Sequence, residues 1–264
     1  MEEPAPYFRL AQLPRPGPDG TLPMRVYAAY ADPKEQRPRV GVLLAGLGMN
    51  QADSLAAIRE LPPDISLAVS PYAPAPSGLL AAARQAGHEV LVSIPMEPEG
   101  YPLNDEGNMA LRTTLPEMEN RHRLEWSLSR LRGYVGATGA LGALHGERFG
   151  GVPELMAPVL DQLAQRGLLY IDPRPGAPAP PGVVGRSVDL VLDAPGNGGM
   201  EAALERLERL AREHGSALGL ISLSPAAIEA LSVWTRALDS KQLALTPVSA
   251  LAATPPGAQK AGTP

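Results

Sequence analysis

The sequence predicts an α/β protein whose parallel sheet closes, or nearly closes, into a β/α barrel. Two observations lead there. Short runs that are apolar on both faces alternate with amphipathic helical segments along most of the chain, and about eight such units recur. Strands buried on both sides need cover on both sides, which crossover helices in a parallel sheet supply. A doubly wound open sheet is the alternative with the same alternation.

In chain order, the stretch to about Arg39 is rich in proline and charge, and only MRVYAAY (Met24 to Tyr30) alternates like a short strand. Residues 1–37 read as an N-terminal extension lying on the surface of a domain over 38–251. The predicted strands are VGVLLAG, ISLAVSP, EVLVSIPM, YVGAT, LLYIDPR, DLVLDA, ALGLIS and LALTPVSAL. Between them, Ser77 is the expected N-cap and Gly87 the stop of one helix, Gly167 closes another, and Ser224-Pro225 opens a third. The tail over 252–264, AATPPGAQKAGTP, is small, polar and proline-rich and is predicted to be disordered.

Composition excludes several functions. A net charge of -5 offers no basic field for nucleic acid or anionic lipid. The absence of cysteine excludes disulfides, thiolate metal sites and cysteine nucleophiles. No apolar run approaches the roughly 18 residues of a membrane span, and MEEPAPYFRL has neither a basic nor an apolar leader region, so neither span nor export signal is expected in this chain.

In either architecture ligands meet the C-terminal ends of the strands, which selects Ala45, Tyr72, Glu97, Thr138, Asp172, Asp193, Ser222 and Ser249. Familiar motifs add little. Gly46-Leu47-Gly48 has Gln51 where a dinucleotide fingerprint needs glycine and reads as a tight turn, and neither a P-loop nor a GxSxG elbow is present. Of the histidines, His122 and His214 lie in charged helical segments, His88 starts a strand away from the ligand face, and His145, in ALHGERFGG, is the one near a site. Glu97 stands between Pro95 and Pro98, whose fixed φ suits a carboxylate that must be aimed, either at a ligand or at neighbouring backbone amides. Asp172 and Asp193 end strands and precede turns, where capping is the ordinary role; with Arg174 and Glu97 they could also form an acidic cluster of the kind that binds sugar hydroxyls or a metal.

LPMRVYA, RPRVGVLLAGLG, LPPDISLAVSPYA, ARQAGHEVLVSIPMEPEGYPLND, RLEWSLSRLRGYVGAT, RGLLYIDPR, VDLVLD and LALTPVSAL, in this order, resemble the divergent polysaccharide deacetylases, the YibQ-like branch of the NodB-type carbohydrate esterase superfamily. The resemblance implies an irregular (β/α) barrel and, for active members, a divalent metal, often zinc, that activates water to remove acetyl groups from polysaccharides. The chain departs from that pattern: Ala45 stands where active relatives end the first strand with aspartate, and Thr138, Gly139 and Ala140 stand in the region of their asparagine and histidine. Near the seventh strand, Ser222 falls where a Gly-His pair is common. A hydrolytic metal site needs about three protein ligands, so the expectation is no metal and no cofactor, with a glycan or peptidoglycan-like ligand bound by Tyr72, Glu97, Arg174, Ser222 and His145. The alternative is an active esterase using Glu97, Asp172 and Asp193 with His145 as ligand or base, and zinc or another divalent metal only in that case. A third reading is a scaffold acting through the amphipathic helix GMEAALERLERLAREHG. Relatives are generally exported, which suggests periplasm or cell envelope, whereas this chain shows no export signal.

Overall fold

The computed structural model describes residues 1–5, 8–194 and 198–252, with the backbone alone at residues 8–10. Beyond Ala252 the predicted tail lies outside the described residues. The chain opens with an antiparallel hairpin, β1 (Glu2–Ala5) and β2 (Phe8–Pro14). The hairpin is more than a surface lead-in: Leu13 is fully buried, and Arg166 donates to the Glu3 carboxylate and the Pro14 carbonyl at 2.8 and 3.1 Å. Next comes a short helix, α1 (Pro23–Val26), where a strand was expected over Met24–Tyr30. Pro23 at its first turn presets a helical φ, and the Tyr27 N–H closes the turn on the Pro23 carbonyl.

The α/β body follows as β3 (Arg39–Leu47), α2 (Gln51–Glu60), β4 (Ser66–Val69), α3 (Pro76–Gln85), β5 (Val90–Ser93), α4 (Glu117–Ser129), β6 (Gly136–Thr138), α5 (Glu147–Gly150), α6 (Pro153–Gln165), β7 (Leu169–Asp172), β8 (Gly185–Ser187), β9 (Leu190–Val191), α7 (Met200–His214), β10 (Ser216–Ser222), α8 (Pro225–Ala237), β11 (Ala244–Leu245) and α9 (Val248–Leu251). Ser224 caps α8 by accepting from the Ala227 N–H, as expected. Ser77 does not cap α3; Pro76 starts that helix after Ala75, leaving Ser77 in the first turn.

The strands pair in the order β8-β7-β6-β5-β4-β3-β10-β9, with β11 beside the start of β3. Every pairing in this sheet is parallel. The two edges, β8 and β9, are separated in sequence by Val188 and Asp189 alone. The Val188 N–H donates to the Asp172 carbonyl at 2.9 Å and the Asp189 N–H to the Leu218 carbonyl at 2.8 Å. One extended stretch therefore hydrogen-bonds first to β7 and then to β10, and it is the seam of the irregular barrel. Alternation along the strands sorts the core into two layers. Leu43, Ala45, Leu91, Ile171 and Leu220 pack together inside the barrel, while Val42, Leu44, Val92 and Tyr170 pack under the helices with Ile58, Leu80, Leu128 and Leu163. Among the described residues no helix is long and apolar enough to cross a membrane.

Candidate functional site at the barrel mouth

Past β5 the chain turns into Pro95–Glu97, which lies beside Leu111. The Leu111 N–H donates to the Pro95 carbonyl at 2.9 Å, and the Glu97 N–H to the Leu111 carbonyl at 2.8 Å. The Glu97 side chain is 3% exposed and both oxygens are engaged. Oε2 accepts from the Thr113 N–H at 2.6 Å and its hydroxyl at 2.7 Å, and Oε1 lies 3.1 Å from Arg148 Nη1. The Phe149 N–H also donates to the Glu97 carbonyl at 3.0 Å. Glu97 thus fastens the 95–97 turn to the 111–113 segment and to α5.

Asp172, at the end of β7, is buried and paired with Arg174. Its Oδ1 accepts from the Arg174 N–H at 3.0 Å and Nε at 2.9 Å, and its Oδ2 from Nη2 at 2.6 Å, a bidentate arrangement that fixes both side chains. Arg174 in turn packs against α5, where a Cβ on Gly150 would stand 3.3 Å from its Nε. Asp193 is exposed, and its Oδ2 accepts from the Ser222 N–H at 3.0 Å. Tyr72 accepts at its hydroxyl from the Met109 N–H at 3.1 Å, its ring 5.1 Å from that of Trp126; burial is the main cause raising its pKa. Thr138 is buried and its hydroxyl accepts from the Ala140 N–H at 3.2 Å. Ser249 is not at this end. Because β11 meets only Arg39 and Val40 at the start of β3, the following α9 lies at the strand starts, and Ser249 donates there to Glu89.

Asp172 is thus joined to Arg174 and Asp193 to Ser222, while Glu97 is held by Thr113 and Arg148. Among the described residues no three histidine, aspartate or glutamate side chains converge where they could hold a metal ion.

Two acids that sequence reading passed over stand beside these groups. Glu106 is 3% exposed. Its Oε2 accepts from the Met96 N–H, the Gly146 N–H faces the same carboxyl, and its Oε1 has no partner among the described residues. Burial, only partly offset by the Met96 hydrogen bond, pushes its pKa from 4.5 up to about 9, so the group is a neutral acid at pH 7. Next to Gly146, His145 Nδ1 lies 3.5 Å from Glu147 Oε1, an interaction that holds the Glu147 pKa below its ordinary value. Glu147 Oε2 also faces the Glu99 N–H at 3.4 Å. The imidazole Nε2 is buried without a partner among the described residues, and so are the hydroxyls of Ser93 and Ser222. The His-Gly-Glu spacing was a legible signal for the imidazole–carboxylate pair. Glu106 gave none: NDEGNM is a run of turn-forming residues, and the carboxyl is buried through its contact with Met96, past the end of β5.

A family model described as divergent polysaccharide deacetylase matches residues 42–252. The chain belongs to that family. Among solved structures, an uncharacterized protein from Agrobacterium tumefaciens is 33% identical, covering 92% of this chain and 100% of its own, with a TM-score of 0.83. A putative cellobiose-phosphate cleavage protein from Enterococcus faecalis is 12% identical, covering 82% of this chain and 100% of its own, with a TM-score of 0.58. The catalytic domain of a peptidoglycan N-acetylglucosamine deacetylase from Eubacterium rectale is 13% identical, covering 83% of this chain and 91% of its own, with a TM-score of 0.51. The last two share the fold of this chain. No curated protein matches it.

Proposed function

We propose that this divergent polysaccharide deacetylase binds a glycan at the barrel mouth without metal-dependent hydrolysis. The observation that carries the reading is the engagement of the mouth carboxylates: Glu97 by Thr113 and Arg148, Asp172 by Arg174, Asp193 by the Ser222 amide. A catalytic divalent metal needs about three ligands and an open position for water. The donor set here does not fit one, since Ala45 and Ala140 carry no donor atom, Glu97, Asp172 and Asp193 are turned toward arginine, threonine and backbone partners, and among the described residues no three possible ligands converge. What the mouth offers instead is hydrogen-bonding capacity, from Tyr72, Ser222, His145 and Glu106, which suits sugar hydroxyls. The glycan class comes from the family and is in keeping with the peptidoglycan deacetylase domain and the putative cellobiose-phosphate cleavage protein that share the fold.

The His145–Glu147 pair supports a second reading, an active carbohydrate esterase with His145 as base. One experiment separates the two. Purified protein is assayed for bound zinc, nickel and manganese and for acetate release from acetylated chito-oligosaccharides and peptidoglycan, with glycan binding measured on the same sample. Binding with neither stoichiometric metal nor acetate release is the expected result; tightly held metal with release overturns it.

A further inference from the structure

We propose that Glu106 and His145 form the ligand-reading pair of the mouth and that they take a neutral group carrying both a hydrogen-bond donor and an acceptor, a hydroxyl or an amide. This rests on the glycan reading above and names the atoms that do the recognition. Buried polar atoms nearly always find partners, so two orphans in one small region mark a place built for something else to complete. Glu106 Oε1 and His145 Nε2 are two such atoms. They belong to one cluster, because the Glu106 carboxyl faces the N–H of Gly146, the residue next to His145, and a Cβ on Gly146 would lie 2.5 Å from the Met96 side chain whose own N–H Glu106 holds.

The chemistry of the pair sets the ligand class. His145 Nδ1 faces Glu147, which leaves Nε2 as the ring nitrogen open to a ligand, a donor or an acceptor according to where the ring carries its proton. Glu106, neutral in its buried site, donates from Oε1. A group that donates to one and accepts from the other completes both. An anion would meet the carboxyl groups of Glu147 and Asp105, whose charges add to burial in raising the Glu106 pKa. A metal ion needs about three protein ligands, and among the described residues no three histidine, aspartate or glutamate side chains converge here.

The test uses the full chain with cellotriose, which offers hydroxyls alone, and tri-N-acetylchitotriose, which adds amides, by titration calorimetry and by 15N spectra of the His145 ring. Wild type is expected to bind at least one of them, with the Nε2 resonance shifting as it takes up a hydrogen bond. Glu106→Ala and His145→Ala are each expected to lose about tenfold or more, whereas Glu106→Gln, which keeps a neutral donor, stays within about threefold of wild type. Matching thermal unfolding among the variants separates lost recognition from lost fold. The arm that binds more tightly identifies hydroxyl or amide as the group read. Undiminished binding in both alanine variants, or an unmoved Nε2 resonance, overturns this pair and leaves the glycan reading standing. Binding of neither sugar overturns both.

Discussion

Two buried glutamates at opposite ends of the barrel are treated in opposite ways. Glu89, 1% exposed at the start of β5, accepts from the Ser66 hydroxyl at 2.7 Å, the Ser249 N–H at 3.0 Å and hydroxyl at 2.5 Å, and the Ala29 N–H at 3.2 Å. Glu106, 3% exposed past the end of β5, has its Met96 hydrogen bond and an oxygen with no partner. The first carboxylate is a fastening whose bonds are all internal. The second carries an incomplete hydrogen-bond set at the end where parallel α/β folds place their ligands. The first arrangement serves stability, and the second is the one proposed above to serve recognition.

Substitutions test that contrast. Glu89→Ala strands several buried donors at once and is expected to cost about 3–5 kcal/mol in urea unfolding. A loss under about 1 kcal/mol would break the contrast at its strong end. Thr113→Val removes one of the two Thr113 donors to Glu97 and is expected to cost about 1–2 kcal/mol, with Arg148 still in place. Glu106 acts through pH. Below about 4.5 it is protonated in both states and its contribution is whole; above that the unfolded chain ionises while the folded one does not, so stability falls as pH rises until the folded group ionises near 9. Glu106→Gln is expected to flatten that decline by up to about 1.4 kcal/mol per pH unit, and parallel slopes for the two proteins would contradict the buried neutral acid. Ser93→Ala and Ser222→Ala remove hydroxyls without partners and are expected to move stability by no more than about 0.5 kcal/mol, in either direction, when followed by thermal unfolding. Large losses there would mean the mouth is internally fastened after all.

The fold was legible because two-sided apolar strands and helix caps are local signals. All eight expected runs contain a strand of the sheet, although LALTPVSAL holds only the two-residue β11 before α9 takes over. What escaped was short or polar. β8, the three residues Gly185–Ser187, has no apolar rhythm, yet it forms half of the seam. The hairpin at residues 2–14 was hidden by prolines that its edge positions tolerate. The site was legible in part. Glu97, Asp172 and His145 were found by their place after strands or in a glycine-rich turn, but the partners of each come from distant segments, and only those partners separate a carboxylate tied to arginine from one left open. Glu106 could not be found this way, because a turn that folds inward has the composition of one that does not.

The Glu89 knot also sets the direction in which the molecule can work. Ala29, on the N-terminal side of the barrel, and Ser249, on its C-terminal side, meet on one carboxylate at the strand starts. The hairpin is tied to the same region through Arg166, just before β7. The first and the last described stretches of the chain are therefore anchored on the underside, at the strand starts, and the rim with Glu106 and His145 lies at the other end of the sheet.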